Sequence, residues 1–172
     1  ARGRALLAEA GHPEGFDVVL EQRPGRRGDV LARQLAEAGL RVTLRQTPWG
    51  DLYRRLQRGD VGFYFGGVVS PTAEASDVLD GWVHSRDAAR GYGMSNHSRY
   101  SSPRADELIE AASMSFSLVN RRELLQEAMR VAMADLPFVP VAAVSQVYGV
   151  RQDLSFRPRV DLKLLGREMR RR

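Results

Sequence analysis

Between Tyr64 and Tyr100 the chain gathers most of the groups with which it could hold a small molecule. Gly66 and Gly67 let backbone approach a ligand closely, while Ser70, Thr72 and Glu74 offer donors, acceptors and a negative charge. Tyr64, Trp82, Tyr92 and Tyr100 supply flat apolar surface with a polar tip. Each has a plain structural use as well. Glu74 serves equally as a solvated carboxylate or as a cap for the helix that follows, and the aromatics serve equally as core. His12, His84 and His97 lack i, i+4 or carboxylate-paired spacing, so no metal site is expected. There is no phosphate-binding glycine loop, no nucleophile elbow and no cysteine, which leaves catalysis without a motif. A binding protein that is not an enzyme and needs no cofactor is expected.

The elements before this segment determine where it emerges. Arg4 to Ala10 reads as a short helix stopped by Gly11 and Pro13, and Phe16 to Glu21 as a buried strand closed by Arg23-Pro24-Gly25. Asp29 is expected to cap a second helix that carries Val30, Leu31, Leu35 and Ala38 and ends at Gly39. The alternation from Leu40 to Arg45 predicts a strand with one buried face. Thr47-Pro48 opens a third helix whose stripe of Trp49, Leu52, Tyr53 and Leu56 is read as core, Trp49 included. The apolar run from Val61 to Phe65 predicts a strand covered on both faces. Strands joined by single helices must lie parallel, so the fold class is α/β. Ligands in such sheets bind beyond the carboxyl ends of the strands, which makes the bend after Phe65 the favoured contact region.

The rest is mainly helical. One short helix is expected within Ala75 to Val83, one from Ser102-Pro103 through Ala112, and one from Asn120 and Glu123 through Ala132. Pro137 and Pro140 end the helical pattern, Val141 to Val150 is apolar and extended, and Asp153 to Met169 has no clear period.

With 172 residues, 43% of them hydrophobic, the chain can bury a core, and no apolar stretch approaches the length of a membrane span. The start, Ala1-Arg2-Gly3-Arg4, has neither an initiator Met nor a signal pattern, and a segment of a longer protein is expected. The net charge is +5, nearly all of the positive charge is arginine, and the arginines are dispersed except for Arg170-Arg171-Arg172. A nucleic-acid-binding or regulatory domain is the rival suggested by a pI near 10.2, but it needs a clustered basic face. An α/β enzyme fragment with its active-site loop in 66–100 is a second rival.

The order of these motifs resembles the C-terminal lobe of family 5 ABC transporter solute-binding proteins, the dipeptide, oligopeptide and nickel-binding group. The resemblance lies in Ala5-Leu6-Leu7-Ala8-Glu9-Ala10-Gly11 before Gly15-Phe16, and in Gln34-Leu35 to Gly39 before the alternating strand. It continues through the Trp49 and Tyr53 helix with Gly59-Asp60, then Asn96 with Tyr100-Ser101-Ser102-Pro103, Arg121-Arg122, and Asp135-Leu136-Pro137-Phe138-Val139-Pro140.

What the resemblance implies is one lobe of a periplasmic-binding-protein-like II fold, a parallel-rich sheet flanked by helices. Residues 1–147 would form the ligand-binding lobe in part, and 148–172 a return segment that packs on a missing N-terminal lobe of the same protein. The implied ligand is a peptide or other small solute, held by Tyr64, Gly66, Gly67, Ser70, Thr72, Glu74, Trp82, Asn96 and Tyr100. The implied partners are ABC permease subunits in the membrane, with no nucleic acid, and the location is periplasmic or extracytoplasmic. One departure stands out. Peptide-binding members carry a Trp and then an Asp that meets the ligand's amino terminus, where this chain has Val68 and, near the Asp position, Pro71. Glu74 and Asp77 are the nearest replacements.

Overall fold

The strand β1 (Asp17–Gln22) pairs in parallel with β2 (Arg41–Gln46) on one side and with β3 (Tyr64–Phe65) on the other. The order β2-β1-β3 makes the first strand in sequence the central one in space. This computed structural model describes residues 2–172. Helices α1 (Arg2–Glu9), α2 (Arg27–Ala38) and α3 (Trp49–Arg58) precede the three strands in turn. The parallel α/β layer expected from single-helix connections is therefore present. Contacts divide the chain into two compact units, the first ending at Gly67 and the second beginning at Val68.

In the first unit the alternation of β2 survives as half-buried Val42 and Leu44 between exposed neighbours. The core of α3 is narrower than its sequence stripe. Leu52 and Leu56 are buried with Val61, and Tyr64 packs against them. Trp49 is 46% exposed, so its reading as core is corrected. It sits in the first turn of α3, where the helix is only beginning to face the sheet, and its ring meets Tyr53 at 5.4 Å and the Arg23 guanidinium at 5.7 Å. The expected strand from Val61 shrinks to Tyr64 and Phe65 at one edge of the sheet, and Phe63 is 38% exposed, so coverage on both faces is not reached. Asp29 lies in the first turn of α2 and is not its cap; the turn Arg23 to Arg26 carries the chain straight into the helix. Gly39 and Gly59 end α2 and α3 in the left-handed conformation, as a glycine after a helix allows.

The second unit is built on α5 (Pro103–Met114) against α6 (Leu118–Asp135), preceded by the single turn α4 (Ser76–Val78) and a π-helical turn, Leu79–Val83. Ala105, Ala112, Ala128 and Ala132 are fully buried, and such small residues let two helix backbones approach while Leu79, Val83, Leu108, Ile109 and Leu125 fill the remaining space. Ser102 caps α5 as expected, its Oγ accepting from Ala105 N. The cap of α6 is Ser117 and not Asn120: the Ser117 Oγ accepts from Asn120 N, and the helix starts three residues earlier than the Asn120 and Glu123 pair suggests. After Leu136, whose φ of 51° ends α6, the segment 137–150 has no regular structure. It leads to β4 (Leu154–Ser155), antiparallel to β5 (Arg170–Arg171).

Leu56→Ala is expected to cost about 3 kcal/mol, the range for emptying a closed leucine site, and Trp49→Ala about 1 kcal/mol or less, as for a side chain largely in solvent. Urea unfolding followed by circular dichroism separates the two; equal losses would return Trp49 to the core.

Candidate ligand-binding site

The carboxyl ends of β1 and β2 are held in place by their last side chains. Gln22 is buried, and its Oε1 accepts from Gly28 N at 2.8 Å while its Nε2 donates to Gly25 O at 2.7 Å. Gln46 reaches the same loop, accepting from Gly25 N at 3.3 Å. A Cβ on Gly28 would fall 2.2 Å from Gln22 Oε1, so only glycine permits this clasp. One residue earlier, buried Glu21 takes Arg55 and Arg45 as partners and accepts from Thr47 Oγ1 at 3.5 Å. The loop that leaves the sheet here presents Arg23, and α3 begins with Trp49, so this end of the first unit carries a cation against an exposed indole. The strand-end rule, applied to all three strands and not only to the last, would have drawn attention to Gln22, Arg23, Gln46 and Trp49.

Tyr64 lies half-buried on the small core, and burial pushes its phenol up to about 12. Gly66 is exposed, and a Cβ there would meet the Tyr64 ring at 2.9 Å; Gly67 is exposed with open space around it.

In the second unit, Ser70 and Thr72 are joined to each other through Asp77. Ser70 Oγ, Thr72 N and Thr72 Oγ1 donate to Asp77 Oδ2 at 2.7, 2.9 and 2.7 Å, and these donors hold the carboxyl below its ordinary range. Glu74 is clasped by the Arg121 guanidinium through both oxygens and accepts from Ser76 Oγ, and its carboxyl is lowered chiefly by Arg121. Arg121 also donates to Ala112 O at 2.6 Å, so it ties the loop to the last turn of α5. Both Glu74 oxygens are taken by Arg121, so Glu74 meets an ammonium only in competition with that guanidinium, whereas all three donors to Asp77 converge on Oδ2. Asp80, half-buried nearby, has its carboxyl raised, first by burial.

Asn96 organises the loop that follows. Its Nδ2 donates to His84 O and Tyr100 O at 3.0 and 2.7 Å, and its Oδ1 accepts from Tyr100 N and Ser98 Oγ at 3.1 and 3.0 Å. Those four bonds use the whole amide. Tyr100 donates from its hydroxyl to Asp135 at 2.7 Å and packs on the core. Trp82 is half-buried, its ring 6.0 Å from His97. His84 is buried, with Nδ1 at 2.7 Å from Ser85 O and Nε2 at 3.0 Å from Glu110, and it stacks on Tyr92 at 4.1 Å. Among the described residues, no group of three or more His, Asp or Glu could hold a metal ion.

A parallel β2-β1-β3 layer with helical crossovers, joined to a helical unit by a loop-rich segment, is a periplasmic-binding-protein-like arrangement. No protein-family model matches the chain. Di/tripeptide-binding protein 2 of Pseudomonas aeruginosa is 27% identical over 149 residues, which cover 82% of this chain and 27% of that protein. The periplasmic binding protein DppA of Helicobacter pylori, an ABC-transporter-associated protein solved with the peptide STSA, matches at 25% identity with a TM-score of 0.69 over 80% of this chain and 27% of its own. A dipeptide-binding protein of Pseudoalteromonas sp. SM9913, solved with Met-Leu, shares the fold with a TM-score of 0.76 over 98% of this chain and 35% of its own, at 18% identity. The chain thus spans about a quarter of the length of the curated relative. Sequence and fold agree in bearing out the resemblance to family 5 solute-binding proteins, and the relatives are binding proteins.

The Glu74 and Arg121 pair gives a pH signature. Because the Glu74 carboxyl is lowered in the folded state, its stabilisation is present above the ordinary glutamate pKa of about 4.3 and is lost as pH falls through its folded value. Glu74→Gln is expected to lower the thermal midpoint at pH 7 and to flatten the fall below about pH 4.3. An acid limb identical to that of the parent would mean that the pair holds nothing.

Proposed function

We propose that this chain is part of the solute-binding component of an ABC importer, a non-enzyme that takes up a peptide or peptide-like small solute between two lobes and delivers it to the membrane permease. It acts in the periplasm or on the outer side of the membrane. Residues up to about 147 belong to one lobe, and 148–172 return to the other lobe, which the remainder of the protein supplies. The carrying observation is the three-stranded parallel layer followed by the loop-rich unit, matched over four-fifths of the chain by a receptor solved with a peptide. A solute stabilises the closed form only by what it gains there over the open form, so the wall needs rigid groups that are already in place.

Two walls of different character are available. In the first unit, Arg23, Trp49 and the Gly66-Gly67 backbone offer stacking, a cation and open backbone. In the second, Trp82 offers an aromatic face, while Ser70, Thr72, Glu74, Asn96 and Tyr100 hold the loop that presents it. With Glu74 engaged by Arg121 and Pro71 standing near the position of the family's Asp, this chain fits solutes whose recognition does not rest on an ammonium at that point. Carboxylate recognition by Arg23 suits peptides and peptide-like acids.

The full-length protein should bind short peptides in calorimetry. Blocking the amino terminus by acetylation should change affinity by less than about tenfold, under about 1.4 kcal/mol, whereas Trp49→Ala should weaken binding at least tenfold, about 1.4 kcal/mol or more. A panel of di-, tri- and tetrapeptides with no binder would overturn the peptide reading, and strict dependence on a free amine would overturn the role given to the Glu74 and Arg121 pair.

A further inference from the structure

The net charge of this protein is not spread along it. Up to Val150 the chain has 18 basic and 18 acidic residues, and the whole excess of +5 lies in 151–172, with eight basic residues against three acidic. All three acids are used locally: Asp153 pairs with Arg151, and Asp161 and Glu168 both pair with Arg159. Arg157, Lys163, Arg167, Arg170, Arg171 and Arg172 are exposed and make no ion pair among the described residues. Exposed Val160, Leu162, Leu164 and Met169 alternate with them.

The segment leading there is equally unsatisfied. From Phe138 to Val150 no backbone group of the described residues makes a hydrogen bond, and Val141, Val144, Val147 and Val150 are 45–91% exposed. Extended backbone with apolar side chains needs both a hydrogen-bonding edge and an apolar surface. A lipid surface supplies the second and not the first. The similar fold solved with Met-Leu matches 98% of this chain and still has most of its own length outside the match. The space beside this segment is therefore expected to be filled by further polypeptide of the same protein.

We infer that 138–172 is an intramolecular docking arm whose receiving surface, on the part of the protein outside this chain, is acidic as well as apolar. The inference rests on the two-lobed reading and adds the chemistry of the joint. An acidic receiver explains why six cations are left without partners where the rest of the chain is charge-balanced, since like charges this dense repel unless countercharge faces them. The valine run supplies strand pairing and apolar area, and the arginines supply orientation and register.

The test uses the full-length protein. Reversing Arg157, Arg167 and Arg170 to Glu is expected to lower the thermal midpoint at low salt. The deficit should shrink by more than half at ~0.5 M salt, where the Debye length is about 4 Å. Reversing exposed Arg33 and Arg122, which lie outside the arm, should change the midpoint little. Replacement of the three arm residues by Gln should give a smaller, still salt-sensitive loss. A midpoint that ignores the triple reversal, or one that responds equally to the Arg33 and Arg122 control, overturns the inference. Salt-sensitive cosedimentation of the full-length protein with phosphatidylglycerol vesicles, abolished by the triple reversal, overturns it in favour of a membrane surface. Peptide binding measured on the same samples keeps the outcomes apart: binding retained without a salt-sensitive deficit sinks the arm alone, and binding absent from every sample sinks the receptor reading.

Discussion

Glu21 is the constraint around which the first unit is arranged. It sits 3% exposed at the carboxyl end of the central strand, and a carboxylate there must be met by charge and hydrogen bonds. Arg45 comes from β2, paired directly opposite Glu21, and Arg55 comes from α3. Thr47, just beyond β2, adds a hydroxyl. One buried acid therefore fixes the register of a strand, the placement of a helix and the loop between them. Each partner also keeps part of its guanidinium in water, which limits the desolvation that would otherwise make such a cluster costly.

The same logic, with different parts, shapes the second unit. Its helical core is made of aliphatic side chains and gives no instruction to the long loop around it. That instruction comes from polar side chains that bond to the loop's backbone and to one another. Asn96 clamps the ends of the loop at His84 and Tyr100, Asp77 collects Ser70 and Thr72, and Arg121 joins Glu74 to the end of α5. Gly93 is required within this network: its φ is 63°, and a Cβ would lie 2.5 Å from His84 O. Residues that read as ligand contacts by chemical type thus serve first to make the loop rigid. A rigid wall is what a closing receptor needs, because ordering a floppy one would consume the solute's binding energy.

The sequence carried the layer well, because period and punctuation are local. The alternation of β2, the glycine stops after α2 and α3 and the Ser102-Pro103 start of α5 depend on neighbours within a few residues, and each lies where it was expected. What was not legible depends on distant partners. Trp49 follows the same helical stripe as Leu52 and Leu56, yet it opens α3 and is exposed where they are buried. Ser117 and Asn120 are both good caps, and α6 uses Ser117, whose Oγ takes Asn120 N. At the candidate site, the types of Glu74 and Asn96 were visible, but their engagement by Arg121, 47 residues away, and by the Tyr100 backbone was not. Glu21 was read only as the end of a strand, because its partners lie 24 and 34 residues downstream.

Charge and hydrogen bonding also explain why the two ends of the second unit behave so differently. In 70–112 the polar side chains of Ser70, Thr72, Glu74, Asp77 and Asn96 have partners, and Leu79, Val83, Leu108 and Ile109 are buried. Met114, Phe116, Leu118 and Val119 are exposed where α5 turns into α6. In 138–172 the local acids satisfy only Arg151 and Arg159, the valine run has no hydrogen-bonded edge, and β4 and β5 meet over two residues each. A two-residue hairpin is too small to stand alone in water. The deficits are adjacent: 138–150 lacks hydrogen bonds and exposes its valines, and 151–172 lacks countercharge. A polypeptide surface offers a strand edge, apolar side chains and carboxylates together, which is why the proposed docking arm takes polypeptide and not lipid as its receiver.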